Sequence, residues 1–198
     1  TCALPIFAWI APVNNESLSA YAERLAKKID RSKPFALLGL SMGGMLCSSI
    51  AALFQKDNLQ KPLVTVLISS VPGRQFFPKH YAVARRYKLY RFMPVGLLKS
   101  ASILNRLFMP DTAKNKAVLR QVIRESDPDF IRWAIPAILH WENEKPPVPY
   151  IHIHGTKDKI FPLKYVQPTH IIEHAGHLMI MNEAVRVNEI LAATFSSL

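Results

Sequence analysis

Phe35-Ala36-Leu37-Leu38-Gly39-Leu40-Ser41-Met42-Gly43-Gly44-Met45-Leu46-Cys47 is the stretch whose reading decides the fold. It sits in a longer run, Pro34 to Gln55, that carries no charged residue. By length alone that run could span a bilayer. Its centre argues otherwise: Gly39, Ser41, Gly43 and Gly44 crowd the place where a span would want Leu and Ile. The better parse is a buried strand over Phe35–Leu40, a glycine turn, and a buried helix from Met42 to about Phe54. Strands of a parallel sheet, covered on both faces, read as continuous apolar runs of this kind.

Working outward, the same alternation recurs. Leu4–Ile10 reads as a short apolar strand. Leu18, Tyr21, Ala22, Leu25 and Ile29 then follow helical spacing behind a Ser17 N-cap. Leu63–Ser69 (LVTVLIS) is β-branched and strand-like. Val148–His154 and Thr169–Glu173 read as two more strands, and Leu178–Phe195 as a final helix. Strands alternating with helices predict an α/β fold with a mostly parallel sheet flanked by helices. The 77 residues between Ser70 and Val148 are too many for a loop. Their apolar clusters predict several helices, an inserted helical cap over 71–147. The core is then formed by 1–70 and 148–198.

Composition narrows the class. The chain has 198 residues, 49 % hydrophobic and 20 % charged, which suffices for a sizeable core and excludes disorder. Cys2 and Cys47 cannot form a disulfide framework or a four-ligand zinc site. With no basic stretch leading into an apolar run at the visible start, a cytoplasmic protein is expected. The net charge of +11 is concentrated: residues 71–140 hold 13 Lys and Arg against 4 Asp and Glu. Solvation is the plainer reading of that charge. Steering of an anionic substrate, or contact with a membrane surface, is the less favoured one. No Walker or dinucleotide glycine pattern occurs, and no nucleic-acid partner is expected.

Three segments carry chemistry. Gly39-Leu40-Ser41-Met42-Gly43 fits G-x-S-x-G between a strand and a helix, the context that gives the pattern weight. Side chains two positions either side of the serine are expected to collide with the neighbouring strand and helix, so both glycines read as steric necessities. The helix N-terminus places N–H groups near developing negative charge, with the Met42 N–H as one oxyanion donor. His154-Gly155-Thr156-Lys157-Asp158 follows an apolar strand and brings Asp158 to the same sheet edge as Ser41. His174-Ala175-Gly176-His177 follows the last strand, with His177 the candidate general base and His174 its competitor. His152 and His154 read as strand residues, and Cys47 as a buried helix residue.

The order Ser, Asp, His, each just past a strand's C-terminal end, resembles the α/β-hydrolase fold family. The likeness rests on GLSMGG, HGTKDKIFP and HAGHLMIMNEA. It implies Ser41 as nucleophile, His177 as base and Asp158 as acid. It also implies a cofactor-free serine hydrolase acting on a carboxylic ester or thioester, with a small-molecule acyl substrate. The alternative is a non-catalytic module whose basic cap binds an anionic ligand or membrane surface. In the family several strands precede the elbow, whereas 38 residues precede Gly39 here. Two readings follow. Either the missing strand, and with it the second oxyanion donor, lies upstream of Thr1, or Leu4–Ile10 is itself the third strand and the fourth is lost.

Overall fold

The computed structural model describes residues 7–57, 59–92, 94, 96, 100–108, 110 and 112–198. Four parallel strands, β1 (Leu37–Leu40), β2 (Thr65–Ile68), β3 (Tyr150–Gly155) and β4 (His170–Ile172), lie side by side in chain order. Leu37 is in register with Thr65, Thr65 with Tyr150, and Ile153 with His170. Helix α1 (Leu18–Ala26) precedes β1, and α2 (Met42–Lys56) links β1 to β2. Between β2 and β3 come α3 (Lys79–Arg86), α4 (Ala101–Phe108), α5 (Ala113–Glu125) and α6 (Pro128–Leu139), with 3-10 turns at Arg74–Phe76 and Leu89–Phe92. The chain closes with α7 (Met179–Asn182) and α8 (Ala184–Ser196).

Both faces of the sheet are covered, which is why LVTVLIS is apolar throughout. Along β2 every residue is buried. Leu67 packs into a cluster under α1 and α2, while Val66 and Ile68 join Ile153, Ile172, Met179 and Val187 on the other face. Period-2 alternation thus divides one strand between two cores. The first core runs on into Ala137 and Trp141, so the helical segment shares it. Trp141 is almost fully buried and donates its indole N–H to Ser49 Oγ at 2.8 Å. Ser17 caps α1 as expected, accepting the Ala20 N–H at 3.1 Å.

The structure differs from the sequence reading at both ends of the chain. Of the strand expected over Leu4–Ile10, residues 4–6 lie outside the described residues, and Phe7–Ile10 forms no strand. The backbone of Ile10 is engaged by a side chain instead: its N–H donates to the Tyr21 hydroxyl and its carbonyl accepts from it, each at 2.9 Å. Trp9 meanwhile leans on Phe130. The final helix is broken, because Glu183 leaves helical geometry (φ −124°, ψ 33°). The break lets Met179 bury completely while Val187 still reaches the same core. In the helical segment Tyr87 and Phe92 are 63 % and 81 % exposed.

The elbow glycines also divide differently. A Cβ on Gly39 would lie 2.3 Å from the Gly43 carbonyl carbon, and one on Gly44 would lie 2.5 Å from Ser70 Oγ. A Cβ on Gly43 would meet nothing within 4 Å. Crowding therefore falls on Gly39 and Gly44, not on the second glycine of the motif. Gly39→Ala and Gly44→Ala should each cost about 2 kcal/mol or more through backbone displacement. Gly43→Ala should be neutral or gain up to about 1 kcal/mol from helix propensity. Urea unfolding of the three variants checks the ranking.

Candidate active site

Ser41 stands between β1 and α2 in a conformation that few non-glycine residues adopt, φ 54° and ψ −120°. Its backbone is held from two sides. The Ser41 N–H donates to the Ile68 carbonyl at 2.9 Å, and the Ser41 carbonyl accepts from Ser70 Oγ at 2.7 Å. Both clamps come from β2 and the residues that follow it, so the neighbouring strand holds the strained turn. Met42 opens α2, and no helical carbonyl is available to its N–H.

Asp158 sits in the loop after β3, 3 % exposed. Its oxygens have separate partners. Oδ1 accepts the N–H groups of Ile160 (2.8 Å) and Phe161 (2.9 Å). Oδ2 faces His177 Nδ1 at 2.8 Å. A carboxylate can only accept, so Nδ1 carries the proton and Nε2 presents a lone pair. That lone pair faces Ser41 Oγ at 2.9 Å. Three residues from three loops, 136 positions apart at the extreme, thus form one hydrogen-bonded chain with His177 1 % exposed.

The sequence profile of the alpha/beta hydrolase family matches residues 5–190. The chain belongs to that family. Solved structures agree on the fold. A thermophilic esterase is 15 % identical, with 93 % of this chain and 75 % of that one covered and a TM-score of 0.66. The enol-lactonase from Burkholderia xenovorans LB400 is 20 % identical, with 91 % and 74 % covered and a TM-score of 0.63. The bromoperoxidase from Bacillus anthracis is 13 % identical, with 91 % and 74 % covered and a TM-score of 0.63. No curated protein matches the chain.

In this hydrolase-family chain the imidazole is enclosed by rings. Phe161 lies 5.9 Å from the His177 ring centroid on a tilted approach, and Phe108 of α4 lies 5.5 Å away, edge-on. Phe77 stacks on Phe161, and the Tyr81 hydroxyl donates to the Ile160 carbonyl at 2.9 Å. The helical segment therefore reaches the site through Phe77, Tyr81 and Phe108. Burial, and behind it the Asp158 charge, pushes the Tyr81 phenol far above its ordinary value, so it stays a neutral donor. His174, the competitor to His177, is exposed at φ 63°, and its N–H donates to Thr156 Oγ1. It lines a surface cleft of about 430 Å³ with Lys157 and Lys159, and does not join the chain from Ser41. A second cleft, of about 590 Å³ between residues 12–17 and α6, contains none of Ser41, Asp158 or His177. Among the described residues no cluster of three or more His, Cys, Asp or Glu side chains is placed to hold a metal ion. Burial pushes the Cys47 thiol up to about 12, which keeps it protonated inside α2.

Sequence reasoning treated His154 and His152 as plain strand residues, and both are more than that. His154 is fully buried, and its Nε2–H donates to the Phe161 carbonyl at 2.7 Å. The same nitrogen lies 3.6 Å from Asp158 Oδ2. With Nε2 protonated, the neutral His154 ring accepts at Nδ1, from His152 Nε2–H at 3.1 Å. The signal was present in the strand: two histidines two residues apart point to the same face, and a buried face cannot leave them unpartnered. Burial, reinforced by the neighbouring His154, pushes His152 down to about 3, and burial also lowers His154. The pair is therefore neutral at physiological pH. An unfolded chain protonates these imidazoles below about pH 6.5, and the native pair does so only at lower pH. The penalty is absent above pH 6.5 and grows as pH falls below it. Urea unfolding between pH 7.5 and 4.5 should show stability falling by about 1 kcal/mol per pH unit for each imidazole below that point. His152→Gln should make the fall shallower.

Proposed function

We propose that this chain is a serine hydrolase that cleaves a carboxylic ester or thioester through an acyl-enzyme. The observation that carries the reading is the buried chain from Asp158 Oδ2 through His177 to Ser41 Oγ, with contacts of 2.8 and 2.9 Å. Ser41 Oγ attacks the carbonyl carbon while His177 Nε2 takes its proton. The C=O π electrons move to oxygen, where the Met42 N–H and the α2 terminus stabilise the charge. Collapse breaks the bond to the alcohol or thiol, which leaves with the proton from His177. Water then attacks the acyl-Ser41 ester, His177 takes its proton, and a second collapse releases the acid and restores the Ser41 hydroxyl. Asp158 keeps the imidazole in the tautomer that can accept from Ser41.

The helices between β2 and β3 serve in this reading as a cap. Phe77, Phe108 and Phe161 exclude water beside His177 and offer an apolar wall to an acyl group. The strained backbone at Ser41 favours the catalytic reading over a non-catalytic one. A residue kept at φ 54° against its own preference is explained by the aim it gives the hydroxyl.

A fluorophosphonate probe should label the protein at Ser41, and p-nitrophenyl esters should be hydrolysed. Ser41→Ala should abolish labelling and lower kcat/KM by about a thousandfold or more. Asp158→Asn should lower kcat by a comparable factor. The amide oxygen is held by the Ile160 and Phe161 N–H groups, which turns its NH2 toward His177 and enforces the wrong tautomer. Undiminished turnover by Ser41→Ala with the esters that the parent protein cleaves sinks the proposal.

A further inference from the structure

Residues 71–110 hold eight Lys and Arg and no Asp or Glu. Within that stretch, the C-terminal end of α3 and the 3-10 turn that follows it bring charge and apolar surface together. Tyr87 is 63 % exposed, Leu89 46 % and Phe92 81 %. Arg86, Lys88 and Arg91 alternate with them and are also exposed. Among the described residues none of these cations forms an ion pair.

The exposure comes from an anchored turn. Tyr90 is turned inward, its hydroxyl 3.2 Å from His140 Nε2 and its ring edge-on to the same imidazole. Lys88, at φ 50°, reverses the chain between α3 and the turn. Backbone bonds from the Tyr87 N–H to the Val83 carbonyl and from the Arg91 N–H to the Lys88 carbonyl close the geometry. With Tyr90 inward, Leu89, Arg91 and Phe92 face out.

We infer that the Arg86–Phe92 surface is a docking site for an anionic lipid bilayer. Charge alone would suit any polyanion, and apolar exposure alone would suit a protein groove. Aromatic and aliphatic side chains flanked by Lys and Arg suit an interface where rings enter the headgroup boundary and cations meet lipid phosphates. No helix among the described residues is long and apolar enough to cross a membrane, so the contact is peripheral. The surface is linked to the site described above through α3. Tyr81, which bonds the Ile160 carbonyl beside Asp158, stands on the same helix about 6 Å of rise before Arg85. Docking would hold that end of α3 against the lipid. The inference does not depend on Ser41 chemistry.

Co-sedimentation of the full chain with phosphatidylcholine vesicles, with and without 30 % phosphatidylserine, tests it. Binding should require phosphatidylserine and weaken at least tenfold between 50 mM and 500 mM salt, since the attraction is screened. The triple change Tyr87→Ser, Leu89→Ser, Phe92→Ser should lower partitioning about tenfold or more while salt dependence persists. Arg86→Gln, Lys88→Gln, Arg91→Gln should lower it by a similar factor, at about fivefold per cation or less. Both sets are surface changes, so far-ultraviolet circular dichroism and hydrolysis of a soluble ester should match the parent protein. Ser41→Ala should bind vesicles normally, which separates this inference from the proposed catalysis. No association with phosphatidylserine vesicles at 50 mM salt overturns it. So does equal binding by the apolar triple variant, or heparin binding of matching strength that ignores the aromatic changes, since either result marks a plain polyanion surface.

Discussion

A single backbone constraint organises this molecule: Ser41 must hold φ 54° at the point where β1 becomes α2. That conformation is disfavoured for a residue with a Cβ. It persists because the sheet beside it supplies two clamps, the Ile68 carbonyl on the Ser41 N–H and Ser70 Oγ on the Ser41 carbonyl. The same constraint explains why positions 39 and 44 are glycines, since strand, turn and helix pass there within contact of one another. Parallel pairing of β1 with β2 is therefore a condition of the hydroxyl's aim as well as of the core.

The rest of the site is held by hydrogen bonds whose donors and acceptors are mutually consistent. Asp158 is nearly sealed from water, and its two oxygens are committed to the Ile160 and Phe161 N–H groups and to His177. His154 closes the loop from below through the Phe161 carbonyl, and His152 closes His154. Neutral imidazoles suit that position. A second positive charge there would compete with His177 for the same carboxylate. The aromatic shell of Phe77, Phe108 and Phe161 keeps the surroundings dry, which strengthens the hydrogen bonds it covers.

Much of this was legible in the sequence because the informative signals are local. Ser41 between an apolar run and a helix, Asp158 after a strand and His177 after the last strand can each be placed by counting from a strand end. The alternation of apolar runs sufficed for the parallel sheet. What escaped depends on contacts distant in sequence. Nothing near Ile10 says that Tyr21 will occupy its backbone, so Leu4–Ile10 read as a strand through to its last residue. The helical period from Leu178 to Phe195 continues through Glu183, and only burial of Met179 shows why the axis breaks. The roles of Gly43 and Gly44 are opposite to the motif's spelling because Ser70, 29 residues beyond Ser41, sets the close approach. The His152–His154 contact needs the strand's buried face to be known before two histidines become a pair.

The divided duty of the Asp158 carboxylate couples local order to chemical readiness. One oxygen pins the turn over residues 158–161, and the other aligns the imidazole. In the proposed mechanism a transient opening of that short turn would swing the second oxygen away with the first. Proton transfer would then stop while the sheet stays intact. Activity would be lost through a hinge of four residues, well before the whole fold gives way.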